Sequence, residues 1–157
     1  MAIQIGEKAP TFTLHAHDKS EVSLEDHKGK NVVVLFFPLA FTGTCTDELC
    51  AIRDDLSAYN DMNAEVLAIS VDSLFTLDQF RQKHGYNFNL LSDFNKVVSR
   101  SYGAFYEDFV LGMKGVSKRA AFVVDKQGTL RYAEVLDKAS DLPNFTAIKE
   151  TLTKLNA

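Results

Sequence analysis

Residues 31–53, NVVVLFFPLAFTGTCTDELCAIR, decide how this chain folds. The apolar run Val32–Phe37 predicts a buried strand. It ends at Pro38, whose ring fixes φ and which has no N–H to give to a ladder. A loop of small residues, Ala40–Thr44, follows, and a helix is expected from Cys45 or just before it. A thiol therefore falls where a strand ends and a helix begins. The first amides of a helix lack intrahelical acceptors and carry about half a positive charge, which favours a thiolate and makes it a better nucleophile. Cys45 is the leading candidate for chemistry.

Upstream, Gly6, Pro10 and Asp18-Lys19-Ser20 punctuate short extended pieces. Phe12 and Leu14 alternate there against polar neighbours, and a hairpin is expected around the Asp18-Lys19-Ser20 turn. His15 and His17 share one face of such a strand, a spacing that suits a metal pair. With no third ligand nearby in sequence, they read as two exposed histidines on an edge strand.

Downstream, Leu49, Ile52, Leu56 and Tyr59 recur at spacings of three and four. They predict one amphipathic helix over Thr46–Asn60, with Asp47 and Glu48 in its first turn. Glu65–Val71 reads as an apolar strand and Leu74–His84 as a helix ended near Gly85, which implies a parallel strand pair with its crossover. Phe88–Leu91 predicts a short strand, Asn95–Tyr102 a short helix and Glu107–Ser117 a loop. A hairpin, Ala120–Asp125 and Thr129–Val135 about Lys126-Gln127-Gly128, precedes a last helix from Pro143 that carries Phe145, Ile148, Leu152 and Leu155. One α/β domain over residues 1–157, a central mixed sheet flanked by helices, accounts for every segment.

The composition fits that reading. At 157 residues the chain can bury a core without disulfide or metal support, and 46% hydrophobic with 24% charged residues suits a globular domain. A formal charge of −4 and the absence of a basic run argue against nucleic acid or an anionic membrane as partner. Met1–Glu7 has neither the charged start nor the apolar core of a signal peptide, so a cytoplasmic location is expected. In that compartment two cysteines are more often catalytic, redox-sensing or simply buried than structural disulfide partners.

The pattern Pro38-x-x-x-Thr42-x-x-Cys45, with Glu48 three residues later and Arg119 directly ahead of the apolar run Ala120–Val124, resembles the active-site signature of the peroxiredoxins. The resemblance also runs through Ala9-Pro10-x-Phe12-x-Leu14, Leu90-Leu91-Ser92-Asp93 and the closing strand pair. It implies a thioredoxin-like fold and a thiol peroxidase of hydrogen peroxide and organic hydroperoxides, working without metal, haem, flavin or other cofactor. FFPLAFTGTC is similar to the alkyl hydroperoxide reductase E type, whereas a second cysteine five residues on is similar to the Q type, or bacterioferritin comigratory protein. The subtype stays open. The family commonly dimerises through the edge near the active site; here Phe41, Phe105 and Phe109 fall in loops and suit either a homodimer face or core packing.

Reduction of a peroxide by a thiol is displacement at oxygen, so a site must ionise the thiol, hold the peroxide in line and stabilise charge on the departing oxygen. Thr42 is placed to turn its hydroxyl toward both the sulfur and a bound peroxide, and the N–H groups of Thr44 and Cys45 can donate to the same oxygens. Pro38 shapes the loop and shields the thiolate from water. The resemblance brings Arg119 to the thiol, where a guanidinium can stabilise sulfur and bind peroxide. Glu48 is then the group to orient it, while neighbouring Lys118 lacks the fork geometry to replace it.

Cys50 decides the rest of the cycle. On an intact helix, residues five apart lie roughly 140° round the axis and about 7.5 Å along it. A disulfide needs Cα atoms about 4.4–6.8 Å apart, so a bridge from Cys45 to Cys50 requires the first turn to unwind. The Q type uses this spacing, which makes Cys50 the expected resolving thiol, with thioredoxin, glutaredoxin or a low-molecular-weight thiol as reductant. Otherwise Cys50 is a buried apolar cysteine of a one-cysteine enzyme. Two further readings are a thioredoxin-like disulfide exchanger, disfavoured because four residues separate the cysteines, and a redox-responsive binding module whose helix unwinds on oxidation.

Overall fold

The computed structural model describes residues 3–156; Met1 and Ala2, which begin the stretch read for a signal peptide, and Ala157 lie outside it. Its centre is β3 (Asn31–Phe36), with every residue buried. Alternate side chains of a strand point to opposite faces, and both faces here are covered. Val33 and Leu35 join one core cluster with Cys45, Leu49, Ile52, Leu77, Phe80, Ile148 and Leu152. Val32, Val34 and Phe36 join the other with Phe12, Val98, Tyr102, Phe122 and Leu130. That is why the run is continuously apolar instead of alternating.

On one side β3 pairs in parallel with β4 (Ala64–Ser70), Val34 opposite Leu67, and on the other antiparallel with β8 (Ala120–Val124), Val34 opposite Phe122. β5 (Asn89–Ser92) lies parallel to β4, reached through α3 (Leu74–His84). The hairpin β1 (Thr13–Ala16) and β2 (Glu21–Ser23) joins β5 through β1, and β9 (Leu130–Val135) closes the other edge beyond β8. The sheet order is β2-β1-β5-β4-β3-β8-β9. Helices α1 (Gly43–Asp54), α2 (Leu56–Asp61), α3 and α5 (Phe145–Leu155) pack on one face, and α4 (Val97–Ser101) on the other. This mixed sheet between helices is the expected α/β fold. Among the described residues no helix is long and apolar enough to cross a membrane.

Several expectations need correcting. The helix read as Thr46–Asn60 begins earlier and is broken. Phe41 at φ 66 reverses the chain, Thr42 is an extended N-cap, and α1 starts at Gly43, which puts Asp47 and Glu48 beyond its first turn. At the other end, Asp55 leaves helical geometry (φ −116, ψ 13) and its carboxylate pairs with Lys149 of α5. The apolar spacing runs unbroken through the kink because α1 and α2 pack on the same cluster.

The loop read over Glu107–Ser117 contains a hairpin, β6 (Phe105–Asp108) with β7 (Lys114–Ser117). Leu111 and Gly112, at φ 59 and 75, turn the chain at its tip. His15 and His17 do not share a face either, and β1 is not an edge strand. His15 is exposed, whereas His17, just past the strand, is buried and receives the Leu90 N–H on Nδ1. Burial, then the charge of Arg81, pulls the His17 pKa below its ordinary value.

Candidate functional site

The antiparallel register of β3 and β8 sets Phe36 opposite Ala120. Arg119, one residue before β8, is thereby placed beside the point where β3 gives way to Pro38 and the thiol loop. Pro38 is buried, and the chain turns at Phe41 and enters α1 with Cys45 as the third helical residue, fully buried. Thr46 is the first residue of α1 whose N–H finds a backbone acceptor, Thr42 O at 2.9 Å. The amides of residues 43–45 precede it and form the donor end of the helix, as expected for Thr44 and Cys45.

Arg119 is 1% exposed, and its fork is occupied on every side. Nη2 donates to Cys45 Sγ at 3.3 Å and Nη1 to Glu48 Oε1 at 2.7 Å. Nε and Nη2 both donate to Ala139 O, at 3.2 and 2.8 Å. Glu48 reaches the guanidinium because it lies three residues after Cys45, on the same face of α1. The motif signalled Cys45, Glu48 and Arg119, and the structure brings all three together. It carried no sign of Ala139, since a backbone carbonyl in the loop after β9 leaves no side-chain signature.

Thr42 behaves differently from the expectation. Its hydroxyl donates to Leu39 O at 2.7 Å, so the proton is committed to the loop backbone and not to the sulfur. What Thr42, which is exposed, offers outward is oxygen lone pairs. Asp72 was also missed. Its Oδ2 accepts from Ala40 N at 2.8 Å and Ser70 Oγ at 2.7 Å, tying the thiol loop to the end of β4. The parallel pairing of β3 and β4 puts both strand ends at the same place, which was the available signal. Burial pushes the Asp72 carboxyl above its ordinary value.

Cys50 is half-buried on the wound stretch of α1, and both cysteines are free. Its sulfur lies 3.7 Å from the hydroxyl of Tyr86. Of the three phenylalanines expected in loops, Phe105 instead begins β6, and Phe41 is exposed and packs on Phe80 at 5.0 Å. Phe105 and Phe109 are half-buried, against Arg100 and Tyr106 respectively.

The buried ion pair has an electrostatic signature. Burial pushes the Glu48 carboxyl up to about 7, against the pull of Arg119, and Glu48 Oε2 has no partner among the described residues. Burial opposes the charge of Arg119 as well, but Glu48 and Cys45 outweigh it and keep the guanidinium protonated. A carboxyl whose pKa rises on folding favours the folded state below its unfolded value and loses that contribution as pH rises through its folded value. Urea unfolding of the parent and of Glu48→Gln across this range checks the sign. The parent-minus-variant stability is expected to fall as pH goes from 4.5 to 7. A difference that stays flat or rises would contradict it.

Residues 5–133 match the AhpC/TSA family. The chain is 40% identical over 136 residues to alkyl hydroperoxide reductase E of Mycobacterium tuberculosis H37Rv, covering 85% of this chain and 86% of that protein. It is 38% identical over 132 residues to a putative peroxiredoxin bcp of Coxiella burnetii, covering 83% and 87%. Among solved structures, the reduced 2-Cys peroxiredoxin of Plasmodium vivax superposes with a TM-score of 0.85 at 29% identity, over 98% of this chain and 96% of that one.

Proposed function

The chain belongs to the AhpC/TSA family of peroxiredoxins, thiol-dependent peroxidases, and on that premise we propose how its residues divide the work. Cys45 is the attacking thiolate. Its sulfur takes one oxygen of the peroxide, the S–O bond forms as the O–O bond breaks, and the other oxygen leaves as hydroxide or alkoxide and acquires a proton. Cys45 becomes sulfenic acid. The observation that carries this assignment is the Arg119 guanidinium, in contact with Cys45 Sγ while Glu48 and Ala139 O fix its orientation. A cation held in this way needs no reorganisation as charge moves from sulfur to the departing oxygen.

The peroxide enters on the side of Thr42 and Gly43, which are exposed while Cys45 is not. Thr42, its own proton held by Leu39 O, accepts a hydrogen bond from the peroxide O–H. The N–H groups of Thr44 and Cys45 donate to the peroxide oxygens, and Pro38 keeps water from the sulfur. Cys50 resolves the sulfenic acid as an intramolecular disulfide, and thioredoxin, glutaredoxin or a small thiol then reduces it. A relative from Bos taurus is named a thioredoxin-dependent peroxide reductase, which favours the first of these.

Intact mass of the reduced protein after one equivalent of hydrogen peroxide tests the cycle, with Cys50→Ser alongside. The parent is expected to lose two hydrogens and the variant to gain one oxygen. If both gain one oxygen, the enzyme works with a single cysteine and an external thiol. If neither changes, Cys45 is not the attacking thiol.

A further inference from the structure

Tyr86 lies in the turn between α3 and β5 and is 2% exposed. Its ring is wedged among Phe80, His84 and Phe88 at centroid distances of 5.1, 5.4 and 5.6 Å, which leaves its hydroxyl little choice of position. That hydroxyl donates to Thr46 O of α1 at 3.3 Å, and its oxygen stands 3.7 Å from Cys50 Sγ. A tyrosine has one proton to give. With that proton on Thr46 O, the thiol proton of Cys50 points at the tyrosine oxygen. Burial pushes the phenol above its ordinary range, so the hydroxyl stays protonated and acts as a clamp, not as a base.

The place of the clamp matters. In an α-helix the carbonyl of residue 46 pairs with the amide of residue 50, so Tyr86 grips the stretch between the two cysteines. A second tether to the same turn, Arg53 Nη1 to His84 O at 2.5 Å, lies beyond Cys50.

We propose that Tyr86 is a positioning residue for the resolving step: its hydroxyl latches Thr46 O and Cys50 Sγ, and its release sets how long the Cys45 sulfenic acid lasts before Cys50 reaches it. The inference rests on Cys50 being the resolving thiol. In that step Cys50–SH condenses with Cys45–SOH. The S–S bond forms, the S–O bond breaks, and the departing oxygen leaves as water with the proton of Cys50. Both contacts of Tyr86 break first, because the turn that carries Thr46 must unwind. The Arg53 tether holds the remainder of α1 in place. Until release, the sulfenic acid is open to an external thiol or a second peroxide.

Tyr86→Phe keeps the ring and removes both hydroxyl contacts. Reduced parent and variant are mixed with one equivalent of hydrogen peroxide and quenched at intervals. Intact mass then separates the oxygen-bearing form from the form that has lost two hydrogens. Disulfide is expected to form roughly two- to tenfold faster in the variant, the range that loss of one ordinary hydrogen bond sets. Amide exchange of the reduced variant is expected to rise over residues 46–50 and not beyond Arg53. Exchange that rises over all of α1 alike means a merely structural role and overturns the latch. So does disulfide formation at the parental rate or slower, with Cys50 kept as resolving thiol. A parent that only gains oxygen removes the reading of Cys50 and the latch with it.

Discussion

Cys45→Ser is expected to abolish peroxide turnover, lowering it by at least about a thousandfold, to the background reaction of peroxide with the reductant. A serine hydroxyl is protonated at neutral pH and is a far poorer nucleophile toward an O–O bond than a thiolate. None of the surrounding groups makes up for that. Arg119 donates and cannot accept a proton, Glu48 is tied to Arg119, and the helix donor end stabilises an anion only once one exists. The fold should barely notice the change, because the serine oxygen can accept the Nη2 hydrogen bond that Cys45 Sγ accepts in the parent. The check is peroxide consumption at several enzyme concentrations, with urea unfolding to confirm the fold. A variant that is folded and retains more than a few per cent of parental turnover would move the chemistry away from Cys45.

Arg119→Met is expected to damage both activity and stability, for different reasons. The side chain donates four hydrogen bonds from a buried position, to Cys45 Sγ, to Glu48 Oε1 and two to Ala139 O. Loss of a preorganised cation at the reacting sulfur should lower kcat/KM by about a hundredfold or more. Removing one partner of a buried pair leaves the other uncompensated, at a cost of about 3–5 kcal/mol. Glu48 escapes part of that cost by taking up a proton, so the stability loss should be smaller at pH 5 than at pH 8. Arg119→Met combined with Glu48→Gln separates the two effects. Stability should recover much of the loss while activity does not, since neutralising Glu48 restores no donor to the sulfur. Recovery of both would assign Arg119 a purely structural role.

The sequence exposed this site in proportion to how local its determinants are. Pro38, Thr42, Cys45 and Glu48 sit within one strand, loop and helix, and their spacing puts a thiol at a helix start and a carboxylate on the same face. Arg119 stood out only because it is a charge directly ahead of an apolar strand and completes a recognisable pattern. The contact itself depends on β8 lying antiparallel beside β3, a pairing across more than eighty residues of chain. Thr42 was assigned the right neighbourhood and the wrong hydrogen-bond direction, because a hydroxyl can rotate toward any acceptor and Leu39 O is nearer than spacing reveals. The start of the helix read from Thr46 slipped by three residues, to Gly43, for a similar reason. Cap geometry is set by the backbone of Phe41 and Thr42, and neither side chain announces it.

By itself, the sequence determined the order of strands β1–β5, β8 and β9 with the helices between them, the burial of the central strand, and which side chains are proposed to carry the thiol chemistry. Apolar periodicity and the conformational limits of proline act over a few neighbouring residues and need no partner. Only the tertiary structure decided that Ala139 and Asp72 support the site, that His17 is buried, that the hairpin β6–β7 exists, and that Tyr86 holds the turn between the two cysteines. Apart from the hairpin, whose two strands are neighbours in the chain, each of these is a hydrogen bond or a packing contact between segments far apart in the chain. Such contacts are made by backbone carbonyls and rotatable hydroxyls, whose partners are settled by where the sheet register sets them down.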